Sequence, residues 1–205
     1  MKETEPFRYV IAYINCGGEM YSKSLLLKPE SLLGKSNYYY RVHGNNLSKY
    51  LSYEEASVSI INLLDQAYVL PSWVKPEYEE DAQRFGYSSM FMMSKYHYVI
   101  SLTHDLEKKT IKIVPYKYDG GTQEAFSDME TYVLQDTCTA EELSEALKKA
   151  YTFLESYSPI PEKYRTQPLN RDKVIAKWRK EHADDQRVAI DITKEKEVME
   201  TTRIK

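Results

Sequence analysis

Short runs of apolar and β-branched residues, separated by turn residues, mark the first part of the chain. The run FRYVIAYIN at residues 7–15 is followed by a glycine pair, so we predict a first strand and a turn. Residues 21–27 are its expected hairpin partner, although the short run KSLLLK is compatible with a helix as well. The tyrosine-rich run at 38–42 predicts another strand.

Three more strand-like runs follow in the second half. The run at 89–102 contains YHYVISL, which is rich in strand formers, and TIKIV at 110–114 has the period-two alternation of a half-buried strand. We predict that these two runs pair in antiparallel fashion, joined by residues 105–109, with Pro115 closing the second strand. ETYVLQ at 130–135 predicts a further short strand.

The clearest helix of the first half follows Ser52. Ser52 and Glu55 have the spacing of a capping box, in which two side chains bond the backbone N–H groups left open at a helix start. We predict that residues 72–87, beyond this helix, form a loop or a short helical turn. The apolar stripe expected to face the core comprises Val58, Ile60, Ile61, Leu63, Leu64 and Tyr68.

Two helices are predicted near the end of the chain. Thr139 and Glu142 form a second capping box, and two prolines end this helix at 159 and 161. Residues 170–182 can form a third helix, with Val174, Ile175 and Trp178 on one face. The core stripe of the helix after Thr139 comprises Leu143, Ala146, Leu147, Ala150 and Leu154.

Together these elements predict an α+β fold, in which a mostly antiparallel sheet is packed by two or three amphipathic helices. A chain of 205 residues, 42% of them hydrophobic, can bury one sizeable core. We therefore predict a single α+β domain over residues 1–160 and a helical, charged C-terminal extension over residues 161–205.

The distribution of apolar residues also predicts the compartment. No run is long enough to span a bilayer, and the first residues lack the basic start and cleavage pattern of a secretory signal. Cys16 and Cys138 are far apart and belong to no CxxC pair, so we expect reduced thiols beside the core. We expect a cytoplasmic protein without a membrane partner.

Charge is unevenly distributed. Residues 1–50 hold 7 basic and 4 acidic side chains, residues 51–145 hold 7 and 17, and residues 146–205 hold 14 and 10, which gives +3, −10 and +4. An acidic surface favours a basic partner and opposes direct nucleic-acid binding. The same acids are also compatible with a merely solubilising surface.

Motifs for catalysis, cofactors and metals are missing from the sequence. The glycine pairs at 17–18 and 120–121 match no phosphate-binding loop, and no GxSxG elbow or HExxH pair occurs. We predict no catalytic residue, no cofactor and no metal.

Two alternatives stay open. His104 and Asp105, at a predicted strand end, could act as an acid/base couple of an enzyme, although this pair also suits turn chemistry. The helix over 171–180 could bind nucleic acid, but acids are mixed among its basic residues. Those basic residues are Lys173, Lys177, Arg179 and Lys180.

Residues 90–157 resemble the immunity proteins of bacterial contact-dependent growth inhibition systems, a class of toxin–antitoxin pairs. The likeness lies in the strands YHYVISLTHD and KTIKIVPYKYDG and in the strand and helix ETYVLQDTCTAEELSEALKKAYTFLE. The resemblance implies a cytoplasmic protein that binds one cognate toxin domain, often a nuclease, and blocks its active site without being an enzyme. It implies no particular interface residue, and the segment after Pro159 lies beyond it.

The tyrosine and acid content also favours a protein-binding function. The chain has 19 tyrosines, a residue suited to protein interfaces although many will be in the core. Since a nuclease surface must be basic to hold phosphates, an acidic, tyrosine-rich patch would compete for it. The partner-binding residues predicted on this argument are Glu77, Glu79, Glu80, Asp81, Tyr116, Tyr118, Asp119, Glu124 and Asp128.

Overall fold

The structure is a computed structural model that describes residues 7–18, 20–27, 39–44, 51–65, 82–118 and 130–184. Its strands are β1 (Phe7–Ile14), β2 (Met20–Leu27), β3 (Tyr39–Gly44), β4 (Tyr98–Asp105), β5 (Thr110–Tyr116) and β6 (Tyr132–Gln135). Its helices are α1 (Tyr53–Asp65), α2 (Met90–Lys95), α3 (Ala140–Tyr157) and α4 (Arg171–Glu181), with a 3-10 turn at Glu162–Tyr164.

The described strands form one sheet in the order β3-β2-β1-β4-β5-β6. Each neighbouring pair is antiparallel. The predicted hairpin of β1 with β2 is present, as is the pairing of β4 with β5. The α+β prediction, with a mostly antiparallel sheet and amphipathic helices, is therefore confirmed.

One face of the sheet carries the main core. Val10 lies opposite Leu102 and Ala12 opposite Ile100, and all four side chains are fully buried. The helices α1 and α3 cover this face and complete the same cluster. The predicted stripe of α3 is buried in full, at Leu143, Ala146, Leu147, Ala150 and Leu154.

Both predicted capping boxes are present. The Ser52 amide donates to Glu55 Oε2 at 2.9 Å, and the Glu55 amide donates to Ser52 Oγ at 3.2 Å. Thr139 and Glu142 make the same reciprocal pair at the start of α3. At the other end of α1 the last turn holds no basic residue, and the Arg8 guanidinium from β1 donates to the Leu64 carbonyl at 2.5 Å. A cation therefore neutralises the negative end of that helix.

The predicted core stripe of α1 is wrong at Val58, whose side chain is 53% exposed. Ala56, Ile60 and Leu64 make the buried face instead. Val58 is two positions from Ala56 and from Ile60, about 200° around the helix, so it points away from the sheet. Ile61 is only partly buried, and Tyr68 lies outside the described residues.

Two strand limits also differ from the prediction. Residues 90–95 form α2, whose start is capped by Ser89 Oγ accepting from the Met92 amide at 3.2 Å, and β4 begins only at Tyr98. Pro115 does not close β5, because it pairs with Ile100 and the strand runs on to Tyr116. Proline is tolerated there because this part of β5 extends beyond the last described pair with β6.

The opposite face of the sheet is covered at one end by a second apolar cluster. Tyr13 and Val99 from the sheet pack there against Phe85, Tyr87 and Met93. Residues 82–84 form a helical turn, within the segment predicted to be a loop or short helical turn. This cluster buries apolar side chains that the main core does not reach.

Helix α4 docks on that second layer. Trp178 is 1% exposed, and the Arg84 guanidinium lies 5.7 Å from its ring centroid. Gly86 has φ +89°, and a Cβ there would collide with Arg171. The predicted third helix is therefore present, with Trp178 as its anchor and Val174 partly buried.

Several contacts join residues 160–165 to the rest of the protein. The Ile160 amide donates to Tyr98 Oη at 2.8 Å, and Arg165 Nη2 lies 2.8 Å from Glu155 Oε2. The Tyr96 and Tyr164 rings meet edge to face at 5.1 Å. The division at residue 160 stays a prediction, and the described part of the extension packs closely on the domain.

Candidate partner-binding groove

Only two of the residues predicted to bind a partner lie in the described part of the chain. Tyr116 is partly buried against the second cluster, while Tyr118 packs against the main core and its amide donates to Ser158 Oγ at 3.1 Å. The two tyrosines therefore pack against different apolar clusters, Tyr116 against the second cluster and Tyr118 against the main core. The remaining predicted residues, outside the described ranges, are Glu77, Glu79, Glu80, Asp81, Asp119, Glu124 and Asp128.

A groove of about 640 Å³ runs between β6 and the first half of α3. One wall is the strand, where Tyr132 and Leu134 are partly buried against the core and Val133 is 59% exposed. The other wall is the helix. The full lining is Thr131, Tyr132, Val133, Leu134, Glu141, Glu142, Glu145, Ala146 and Lys149.

The local sequence explains why the two walls lie side by side. The strand β6 ends in a tight turn, in which the Cys138 amide donates to the Gln135 carbonyl at 3.0 Å. Thr139 then caps α3, so the helix starts directly beside the strand end. Leu143 and Leu147 hold the helix on the sheet, which leaves its acidic residues on the open side.

The groove is electronegative. Three exposed carboxylates, of Glu141, Glu142 and Glu145, line the groove together with one ammonium group, that of Lys149. Glu141 and Glu142 lie in the first turn of α3, where the helix dipole stabilises negative charge. A ligand with basic groups would therefore meet favourable charge along the helix wall.

Neighbouring ion pairs organise that wall. The Lys148 ammonium lies 2.9 Å from Glu54 and 3.2 Å from Glu145, linking α1 to α3. The hydrogen bond between Glu54 and Lys148 lowers the pKa of Glu54 and raises the pKa of Lys148. Glu145 is thus held in place, whereas Glu141 makes no ion pair among the described residues.

The strand wall offers an uncharged phenol. Burial raises the pKa of Tyr132 to about 12, and a hydrogen bond to Glu130 contributes to the same shift. The Tyr132 hydroxyl therefore stays protonated at neutral pH. The groove combines apolar strand surface with acidic helix surface.

The His104/Asp105 couple considered from the sequence does not form. Adjacent strand residues point to opposite faces of a sheet. Asp105 Oδ1 accepts from the Lys108 amide at 2.9 Å and from the Glu107 amide at 3.1 Å. The backbone bond from Lys108 is the main cause that lowers the pKa of Asp105. This carboxylate shapes the β4–β5 turn, which is the turn chemistry weighed against catalysis.

His104 has a different acidic neighbour. It is buried on the core side of β4, and its Nε2 lies 3.7 Å from Asp136 Oδ2. That distance exceeds a hydrogen bond, and His104 is only 5% exposed. Burial of the ring does not favour an acid/base role, and the enzyme alternative stays a prediction.

Helix α4 presents part of its basic residues outward. Lys173, Lys177 and Lys180 are exposed, and Lys177 lies 3.8 Å from Glu181. Trp178 is buried, so it cannot stack on a base. Nucleic-acid binding by this helix stays an alternative prediction, and a steep fall of affinity with salt would reveal it.

Some other site types can be assessed within the described ranges. No helix there is both long and apolar enough to cross a membrane. The same part of the chain brings together no group of three or more histidine, cysteine or acidic side chains that could hold a metal. Cys16 and Cys138 are free, and burial raises the pKa of the Cys16 thiol, which makes it a poor nucleophile at neutral pH.

The groove was missed by reasoning from sequence. Of its three acids only Glu142 was used there, as a member of the capping box that predicts the helix start. ETYVLQ was predicted to be a strand, but nothing in its pattern shows that it lies at the sheet edge. The available signal was its shortness, four residues in the structure, directly before an acidic first helical turn.

Comparison with known proteins adds little to this picture. No protein-family model matches the chain, and no curated protein matches its sequence. A protein of unknown function from Neisseria meningitidis is similar in structure, with a TM-score of 0.45 and 14% sequence identity. The match covers 74% of this chain and 98% of that chain. So distant a likeness carries no argument about function.

Proposed function

We propose that this chain is an immunity protein, which binds and neutralises a cognate toxin domain, with a nuclease as the expected toxin activity. The observation that carries this proposal is the acidic groove between β6 and α3. It is a concave surface with both apolar and charged lining, which suits a protein segment. The protein would act by occupancy, without catalysis, and in the cytoplasm.

Charge complementarity supports this function. A nuclease needs a basic surface to hold phosphates, and an acidic surface on its inhibitor attracts that surface and speeds the encounter. The carboxylates of Glu141 and Glu145 project from one face of α3, one helical turn apart. The acids at 77–81, also predicted to bind the partner, lie outside the described residues.

The first test is neutralisation. A candidate toxin domain encoded by a neighbouring gene is purified, and its nuclease activity and its toxicity in cells are measured with and without this chain. We expect one-to-one binding by calorimetry, at about nanomolar Kd, together with loss of nuclease activity. A neighbouring toxin domain that neither binds nor loses activity would contradict the proposal.

The second test locates the surface. Charge reversal in the double variant Glu141→Lys, Glu145→Lys should slow association at low salt, and the difference should shrink at high salt because mobile ions screen exposed charges. The matched control is the double variant Glu162→Lys, Glu181→Lys, which makes the same charge change at exposed positions away from the groove.

The outcomes separate the predicted surfaces. Equal slowing by both double variants would mean that only net charge matters and that the groove has no special role. A further variant with lysines in place of the acids at 77–81 tests the surface predicted from sequence. Unchanged association of that variant at low salt would exclude those acids from the interface.

A further inference from the structure

The outer edge of β6 has a defined hydrogen-bonding pattern. Gln135 lies opposite Thr110, so the next residues along the register are Asp136 and Lys109. The Asp136 amide donates to the Lys109 carbonyl at 3.0 Å, which makes this a hydrogen-bonded pair. In an antiparallel ladder such pairs alternate with pairs whose backbone groups point away from the partner strand.

This alternation determines which groups of β6 face outward. Tyr132 and Leu134 direct their N–H and C=O groups toward β5. Val133 and Gln135 direct theirs to the other side, where no described strand pairs with β6. Lysine, proline and bulges commonly protect exposed sheet edges from pairing with another chain. The strand β6 contains no lysine or proline.

We infer that β6 is the docking edge for one extended, basic segment of the partner, which adds as a seventh strand along the groove. This inference rests on the proposed function and specifies how the partner is held. The backbone of the added strand would bond the outward N–H and C=O groups of Val133 and the outward N–H group of Gln135, whose C=O already accepts from the Cys138 amide.

The two walls of the groove determine the side chains that the added strand needs. In a strand, alternate side chains point to opposite faces. Those on the α3 side meet the carboxylates of Glu141 and Glu145, and basic residues suit that side. Those on the other side meet the exposed Val133, and apolar residues suit that side. The segment recognised is therefore one in which basic and apolar residues alternate.

The test uses a defined probe, a terminally blocked heptapeptide of alternating lysine and valine. Binding is measured by fluorescence anisotropy, and amide hydrogen exchange is measured on the wild-type chain at saturating peptide. We expect slower exchange at Val133 and Gln135, with no change at Leu134, whose amide already bonds β5. The control peptide, of alternating glutamate and valine, should bind at least about tenfold more weakly because it meets like charge.

A pair of variants isolates the backbone contribution. Val133→Pro removes an outward N–H group and leaves the β5 ladder in place, whereas Val133→Ala keeps that N–H group while it shortens the side chain. We expect about tenfold weaker peptide binding for Val133→Pro than for Val133→Ala, as the loss of one backbone hydrogen bond implies. Thermal unfolding checks that both variants fold, and the exchange measurement needs neither variant.

The possible results differ in what they refute. Strand addition is refuted if the lysine–valine peptide fails to bind, if exchange at Val133 and Gln135 is unchanged, or if both variants bind the peptide equally. If the toxin domain is neutralised equally well by Val133→Pro and by the wild type, the immunity function stands and strand addition fails. If the peptide protects both amides while no toxin is neutralised, the edge binds strands and the immunity function fails.

Discussion

His97 provides a pH-dependent component of stability that can be isolated. The imidazole is 1% exposed and packs edge to face against the rings of Tyr13 and Tyr87, at 6.3 and 5.3 Å. Its Nδ1 lies 2.6 Å from the Met93 carbonyl oxygen, so in the neutral ring this nitrogen carries the proton and donates. Burial lowers the pKa of His97 from 6.5 to about 4.

The sign and size of the effect follow from linkage. Below pH 6.5 the unfolded chain protonates this histidine, while the folded protein resists protonation until about pH 4. The contribution is therefore fully present above pH 6.5, falls as the pH decreases through this window, and is lost below about pH 4. A pKa difference of this size corresponds to roughly 3 kcal/mol of unfolding free energy.

Urea unfolding of the wild type and of His97→Gln at pH 7.5 and pH 4.5 measures this contribution. The variant removes the titrating group, and the carboxylates that titrate in the same range are common to both proteins. From pH 7.5 to pH 4.5 we expect the unfolding free energy of the wild type to fall by about 2–3 kcal/mol more than that of the variant. An NMR titration of the His97 ring protons gives the pKa directly.

Two results would refute this reasoning. A His97 ring that titrates near pH 6.5 in the folded protein would show that the site is hydrated and does not penalise the charge. Equal pH dependence of stability in the wild type and in His97→Gln would show that other groups control it.

Three further predictions concern the docking of α4 and the start of α3. Trp178→Ala should destabilise the protein by about 3–5 kcal/mol in urea unfolding, because it empties the site over Arg84; a loss below about 1 kcal/mol would mean that α4 is not part of the cooperative unit. Gly86→Ala should cost more than about 1 kcal/mol, since φ is +89° and the new Cβ meets Arg171, and unchanged thermal stability would contradict that contact. Thr139→Ala should cost about 1 kcal/mol of unfolding free energy by loss of the cap, whereas Thr139→Ser should recover most of it; equal stabilities of the two variants would exclude the cap.

Local features of this fold could be predicted from sequence because the interactions that cause them act between residues close together in the chain. A capping box needs only residues three apart, and both predicted boxes formed. The buried stripe of α3 was predicted in full, since the 3.6-residue period alone places those side chains on one face. The predicted burial of Val58 in α1 was wrong because apolar residues surround most of that helix. Only packing against the sheet selects which side is buried.

The order of strands, and with it the candidate site, was decided by tertiary structure. β4 pairs with β1 across more than eighty residues of chain, and no local pattern encodes such a pairing. That order leaves β6 at the edge beside α3, which turns an ordinary strand and an ordinary acidic helix start into two walls of one groove. The sequence by itself determined which segments become strands and helices, because propensity, period and capping act over a few residues. Only the tertiary structure decided which of their surfaces stay open, because exposure depends on which distant segments cover them.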